Sequence, residues 1–241
     1  MIGPDSSQND VSPSPPTAAV FDMDGLLFNT EDLYQDVGGE LLRRRGHEFG
    51  PELLHAMMGR PGRVALQMMI DYHGLSDTVE TLAAESARIF PAILDQRLAL
   101  MRGVPELLAA LEQSEIPKAV ATSSGRPFTA DVLGRFDLEP RFQFVLTAED
   151  VAEGKPHPEI YLKAAACFGV PPGEMVVFED SQNGCRAAVA AGAVVVAVPG
   201  GHSHLHDFSG ATLVADTLAD PRIYDLLQIP GPRTGFGTIE E

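Results

Sequence analysis

Tryptophan is absent from this chain, and its 241 residues hold only two cysteines and three lysines. Cys167 and Cys185 cannot build a disulfide framework, so both read as buried thiols. Basic residues are scarce as a class: Lys+Arg 17 against Asp+Glu 34 leaves a formal net charge of −17. A surface of that sign disfavours nucleic acid and anionic membrane as partners. No apolar run approaches the ~20 residues needed to cross a bilayer. Residues 1–16 carry no Lys, Arg or apolar stretch, so they do not read as a secretory signal; they read as a disordered tail. Residues 229–241 read as a second, flexible tail. A cytoplasmic protein is expected.

What the chain does hold is an alternation. Short β-branched or apolar runs stand at Ala18–Phe21, Lys118–Ala121, Phe144–Leu146, Met175–Phe178, Val194–Val198 and Thr212–Val214. Helical patterns separate them at Val104–Gln113, Thr129–Phe136, Pro158–Phe168 and Ser181–Ala191. Continuous apolar strands alternating with helices predict a doubly wound parallel sheet, an α/β fold. The first connection is too long for a loop. Glu31–Arg45, Pro51–Met58, Arg63–His73 and Ser76–Arg97 all carry helical periodicity, so an inserted all-helical domain is expected. The expected division is a Rossmann-like core at 17–33 and 101–228, with a helical cap at 34–100. Met57, Met58, Met68 and Met69 read as packing of that cap, and Arg43-Arg44-Arg45 as a solvated helix end.

Polar groups gather where strands end, which is where open α/β sheets keep their sites. Asp22-Met23-Asp24-Gly25 follows the first strand, and alternation lets the two carboxylates share a face. One could attack while the other handles a proton, and both could hold a hard divalent cation. Thr122-Ser123-Ser124-Gly125 offers hydroxyls and free N–H groups suited to phosphate. Lys155 stands between Gly154 and Pro156, and Glu179-Asp180-Ser181 follows the fourth strand. Two acidic strand ends, a hydroxyl turn and one lysine form an inventory for phosphoryl transfer.

This ordered set, with Gln182-Asn183-Gly184 completing the last motif, resembles the haloacid dehalogenase superfamily of phosphatases. Within it the chain looks like the branch with a helical cap after the first strand, which includes β-phosphoglucomutase. The resemblance implies Asp22 as nucleophile forming an aspartyl-phosphate, and Asp24 as the acid and base. It implies Thr122, Ser123 and Lys155 as phosphate-binding groups. Mg²⁺ would be held by Asp22, the backbone carbonyl of Asp24 and Asp180, with Glu179 nearby or directly involved. Asn29 stands where many relatives carry an acid. Tyr34 and Gly62 stand where the mutases carry a histidine and an arginine, with Arg60 and Arg63 flanking the second position.

Arg60, Ser124 and Arg126 are candidate substrate contacts. His202, His204 and His206 alternate, but no carboxylate or cysteine pattern completes a metal site, and the segment reads as a solvated loop. The expected function is a Mg²⁺-dependent phosphatase acting on a small phosphorylated metabolite. The alternatives are a β-phosphoglucomutase-type phosphosugar mutase and a non-catalytic metal- or phosphate-binding protein.

Overall fold

The computed structural model describes residues 14–57, 62–201, 203 and 206–231. The two expected tails fall largely outside the described residues, as do Met58, Arg60, His202 and His204. Six strands form one parallel sheet: β1 (Ala18–Phe21), β2 (Lys118–Ala121), β3 (Val145–Leu146), β4 (Met175–Glu179), β5 (Val194–Ala197) and β6 (Leu213–Val214). Their order is β3-β2-β1-β4-β5-β6, so the chain winds outward from β1 in both directions. The crevice between β2, β1 and β4 is the place where such a sheet binds ligands.

Alternation along β1 divides the core into two layers. Ala19 and Phe21 face one, where Phe21 stacks on Phe178 at 4.7 Å and meets Phe142 edge-on at 6.1 Å. Ala18 and Val20 face the other, packed with Ile160, Tyr161, Cys185 and Ala188. All four β1 residues are wholly buried, which is why the run is continuously apolar. Cys185 is indeed buried, but Cys167 is exposed; its helix turns it away from the sheet.

Between β1 and the next core helix, α5 (Val104–Gln113), the described residues form four helices and no strand: α1 (Thr30–Arg43), α2 (Pro51–Met57), α3 (Gly62–His73) and α4 (Val79–Arg97). Val37, Leu41, Leu42, Leu53, Met69 and Leu82 give this helical cap an apolar cluster of its own. α4 starts three residues later than its periodicity suggests, because Thr78 caps it by accepting from Thr81 N at 3.2 Å. Arg45 is not solvated: it pairs with Asp77 and Glu85 at 2.8 and 2.7 Å, tying the end of α1 to α4. The remaining helices are α6 (Arg126–Gly134), α7 (Glu159–Phe168), α8 (Gln182–Ala191) and α9 (Pro221–Leu227). No helix of the described residues is long and apolar enough to cross a membrane.

The two connections between cap and core run side by side and are stitched by Asn29. Its Nδ2 donates to Arg97 O at 3.1 Å, and its Oδ1 accepts from Ala99 N at 2.8 Å. Asn29 N also donates to Ala99 O at 3.2 Å and Met101 N to Leu27 O at 2.9 Å. A carboxylate at position 29 could accept from Ala99 but could not donate to Arg97, which accounts for the amide here. Asn29→Ala, which removes both side-chain bonds, is expected to lower stability by about 1–3 kcal/mol in urea unfolding. An unchanged midpoint and slope would remove the stitching role.

Candidate active site

Because β2, β1 and β4 are neighbours, Thr122, Asp22 and the pair Glu179–Asp180 meet at one edge of the sheet. The ladder fixes their starting points: Asp22 N donates to Phe178 O and Thr122 N to Leu146 O, both at 3.0 Å. Lys155 reaches the same edge from the segment before α7. Its Nζ donates to Asp22 Oδ1 at 2.5 Å, Glu179 Oε1 at 2.7 Å and Ala121 O at 3.0 Å. All three ammonium protons are thereby used. Burial alone would push Lys155 down, yet Asp22 and Glu179 hold it well above its ordinary value.

Glu179 is fully buried and fully engaged. Besides Lys155 it accepts from Tyr161 Oη at 2.7 Å, Ser181 N at 3.1 Å and Ser181 Oγ at 2.9 Å. Ser181 Oγ also caps α8 by accepting from Gly184 N at 3.1 Å. Asp24 points elsewhere. Its carboxylate accepts from Thr30 Oγ1 at 2.7 Å, Ser124 Oγ at 2.6 Å and Thr122 Oγ1 at 3.2 Å. Directly after Asp24, Gly25 turns the chain with φ +78°, and a Cβ there would lie 2.4 Å from Asp180 Oδ2. Only glycine meets both demands.

Asp22, Glu179 and Asp180 bring ligand oxygens within 4.8 Å of one another. Three carboxylates around one ammonium are costly to keep ionised. Burial pushes Asp22 up to about 8, with Lys155 opposing and Glu179 and Asp24 adding to the rise. Burial, reinforced by Glu179 and Asp22, holds Asp180 well above the carboxylate range. Asp180 Oδ2 is buried without a hydrogen-bond partner among the described residues. A divalent cation fits these residues, since it would supply the missing charge, restore the ionised acids and occupy the orphan oxygen. The donor set is all oxygen, which suits Mg²⁺ rather than Zn²⁺. The Asp24 side chain is not one of this set, being held by three hydroxyls instead.

The acids open into a cavity of about 1160 Å³ that runs from the sheet edge into the cap. Asp22, Asp24, Thr122, Ser123, Lys155 and Asp180 all line it. Other expected contacts sit differently. Ser124 acts on Asp24 rather than on the cavity. Arg126 does not line the cavity, because its guanidinium pairs with both oxygens of Asp150 at 2.8 and 2.9 Å. Arg60 lies outside the described residues. His206 departs from the solvated-loop reading: it is half-buried, lines the cavity, and burial lowers its pKa. The sequence reading missed Thr30, Tyr161 and the cavity-lining Gln182 and Asn183 as site residues. Of these, Gln182 and Asn183 carried a signal as part of the motif after the fourth strand, and Thr30 as the residue next to Asn29; Tyr161 carried none.

Residues 19–198 match the family model described as haloacid dehalogenase-like hydrolase. The chain belongs to that family. A Drosophila melanogaster protein named "Probable pseudouridine-5'-phosphatase" is 36% identical, over 85% of this chain and 90% of its own length. The validoxylamine A 7'-phosphate phosphatase of Streptomyces hygroscopicus subsp. limoneus is 33% identical, over 90% of this chain and 97% of its own. Among solved structures, a HAD family hydrolase from Deinococcus radiodurans R1 with bound phosphate and sodium superposes with a TM-score of 0.79. That alignment has 27% identity over 91% of this chain and all of the other. Like this family, the chain is a hydrolase.

Proposed function

We propose that the chain is a Mg²⁺-dependent phosphatase that hydrolyses a small phosphate monoester through an aspartyl-phosphate on Asp22, beneath a cap formed by residues 34–100. The observation that carries this reading is the contact of Asp22 with Lys155 at the cavity floor, beside an Asp24 pinned by three hydroxyls. An Asp22 carboxylate oxygen attacks phosphorus and forms a P–O bond as the bond to the alcohol breaks. Asp24 gives its proton to the departing alkoxide. Water then attacks the same phosphorus and loses a proton to Asp24. The bond to Asp22 breaks, and inorganic phosphate leaves. Lys155, Thr122 and Ser123 hold the phosphoryl oxygens in line. Asp22, Asp180 and the Asp24 carbonyl, with Glu179 beside them, would hold Mg²⁺, whose charge would offset that of the phosphoryl group when bound.

The two phosphatase relatives are named for different alcohols, and what those names share is the phosphate ester. A mutase reading is less well supported. Tyr34 and Gly62 occupy the positions of the mutase histidine and arginine, and Arg63 is already paired with Glu80. Incubation with a panel of phosphate monoesters and Mg²⁺ should release inorganic phosphate, and β-glucose 1-phosphate should not isomerise to glucose 6-phosphate. Rapid isomerisation without free phosphate, followed by phosphorus NMR, would overturn the reading. Chelation should abolish release, and Mg²⁺ should restore it. A cation that relieves three buried acids also stabilises: at a hundredfold excess over Kd the gain is about 2.7 kcal/mol, or a melting temperature higher by roughly 5–10 °C. A melting temperature indifferent to Mg²⁺ would count against the site.

A further inference from the structure

The cavity has two unlike halves. Toward the sheet it is polar, with the acids, Lys155 and the Thr122–Ser123 turn. Toward the cap it is walled by Leu41, Phe49, Leu54, Met57, Leu66 and Met69, so the cap cluster is hollow on the side that faces the reacting groups. Phosphate bound at Asp22 would leave the alcohol pointing into this second half. A polyol there would have to exchange each hydroxyl's water for a protein partner. Among the described polar side chains that line it from the cap, Arg63 pairs with Glu80, Glu31 and Gln35 have interactions of their own, and Ser86 adds one short hydroxyl.

At the junction of the halves stands Tyr34. It is 53% exposed and lines the cavity. The ring is not loose. It stacks on Phe90 at 4.7 Å and 17°, and Phe90 in turn packs against Phe128 of the core at 5.8 Å. Three rings from α1, α4 and α6 thus form a column that holds Tyr34 as a fixed platform beside the polar half.

We infer that the alcohol carried by the substrate phosphate contains a flat, largely apolar ring system that seats on Tyr34 and fills the apolar half of the cavity. This deepens, and rests on, the phosphatase reading. A polyol phosphate matches the first half of the cavity and leaves the second unfilled. An aromatic pair of this kind favours the ring-bearing ligand by about tenfold once the buried apolar area is included.

The test compares two non-hydrolysable phosphonates by calorimetry in Mg²⁺ buffer, phenylphosphonate and 3,4-dihydroxybutylphosphonate. Phenylphosphonate should bind at least about tenfold more tightly. Tyr34→Phe should keep that ratio and Tyr34→Leu should reduce it to about threefold or less. Equal affinities, or a tighter polyol, overturn the inference, as does a ratio unmoved by Tyr34→Leu. Should a variant fail to fold, the ratio on the unaltered protein still decides. Release of phosphate from glycerol phosphate with equal phosphonate affinities overturns this inference and leaves the phosphatase standing. A tenfold ratio with no release from any ester of the panel, phenyl phosphate included, overturns the phosphatase and leaves the binding preference.

Discussion

Asp22→Asn is expected to keep its fold and lose at least about a thousandfold in phosphate release, close to 4 kcal/mol of transition-state stabilisation. The substitution changes little in shape. An amide oxygen at the same place can still accept from Lys155 Nζ, which now lies 2.5 Å from Asp22 Oδ1. The buried setting already works against the charge, since burial pushes the Asp22 carboxyl up to about 8, so a neutral side chain there is tolerated. What disappears is the attacking oxygen, and the neighbouring acids are each engaged, Asp180 with the cation it would help to hold. Glu179 is locked by Lys155, Tyr161 and Ser181, and Asp24 by Thr30, Thr122 and Ser124. Phosphate release and melting temperature should be measured on one preparation. Release within tenfold of the unaltered protein would assign the nucleophile elsewhere, whereas a collapsed melting temperature would mean that Asp22 matters chiefly to folding.

The parts of this protein legible in the sequence are those written in short-range pattern. Ala18–Phe21 had to be a strand buried on both faces because all four residues are apolar, and the acids had to follow it. Four polar clusters at strand ends suffice to place Asp22, Thr122, Lys155 and Glu179–Asp180 at one edge once the sheet is parallel. What escaped is pairing across long separations. Arg126 looked available because nothing nearby in sequence neutralises it; folding brings Asp150 to it from 24 residues away. Tyr161 is a core residue of α7, yet its hydroxyl reaches Glu179 across the layer. α6 begins at Arg126 rather than Thr129 because Pro127 is acceptable in a first helical turn, where its missing N–H costs nothing. The cap methionines were read as packing. Met69 and Met57 both pack in the cap cluster, and both also line the cavity, a second role that periodicity cannot show.

Gly184→Ala should destabilise the protein by about 3–5 kcal/mol, against the usual direction for a glycine in a helix. Alanine is ordinarily better there by about 1 kcal/mol, and Gly184 lies within the first turn of α8. A Cβ at this position, however, would lie 1.7 Å from Glu179 Oε1, 1.9 Å from its Cδ and 2.2 Å from Oε2. Neither side can yield cheaply. The helix start is fastened by the Ser181 cap, and the carboxylate is fastened by Lys155, Tyr161 and Ser181. Overpacking of this kind costs about 1–3 kcal/mol by itself. Moving the carboxylate adds the cost of weakening a buried ion pair, for which outright loss of a partner is worth about 3–5 kcal/mol. At this chain length the loss corresponds to a melting temperature lower by roughly 6–20 °C. Arg186→Ala, two residues along on the exposed face, should move it little. The cause is separable by a double-mutant cycle, because Glu179→Ala removes the obstacle. In that background Gly184→Ala should be neutral or mildly stabilising. A single Gly184→Ala variant that melts at or above the unaltered protein would show that the acid does not sit against the first turn of α8.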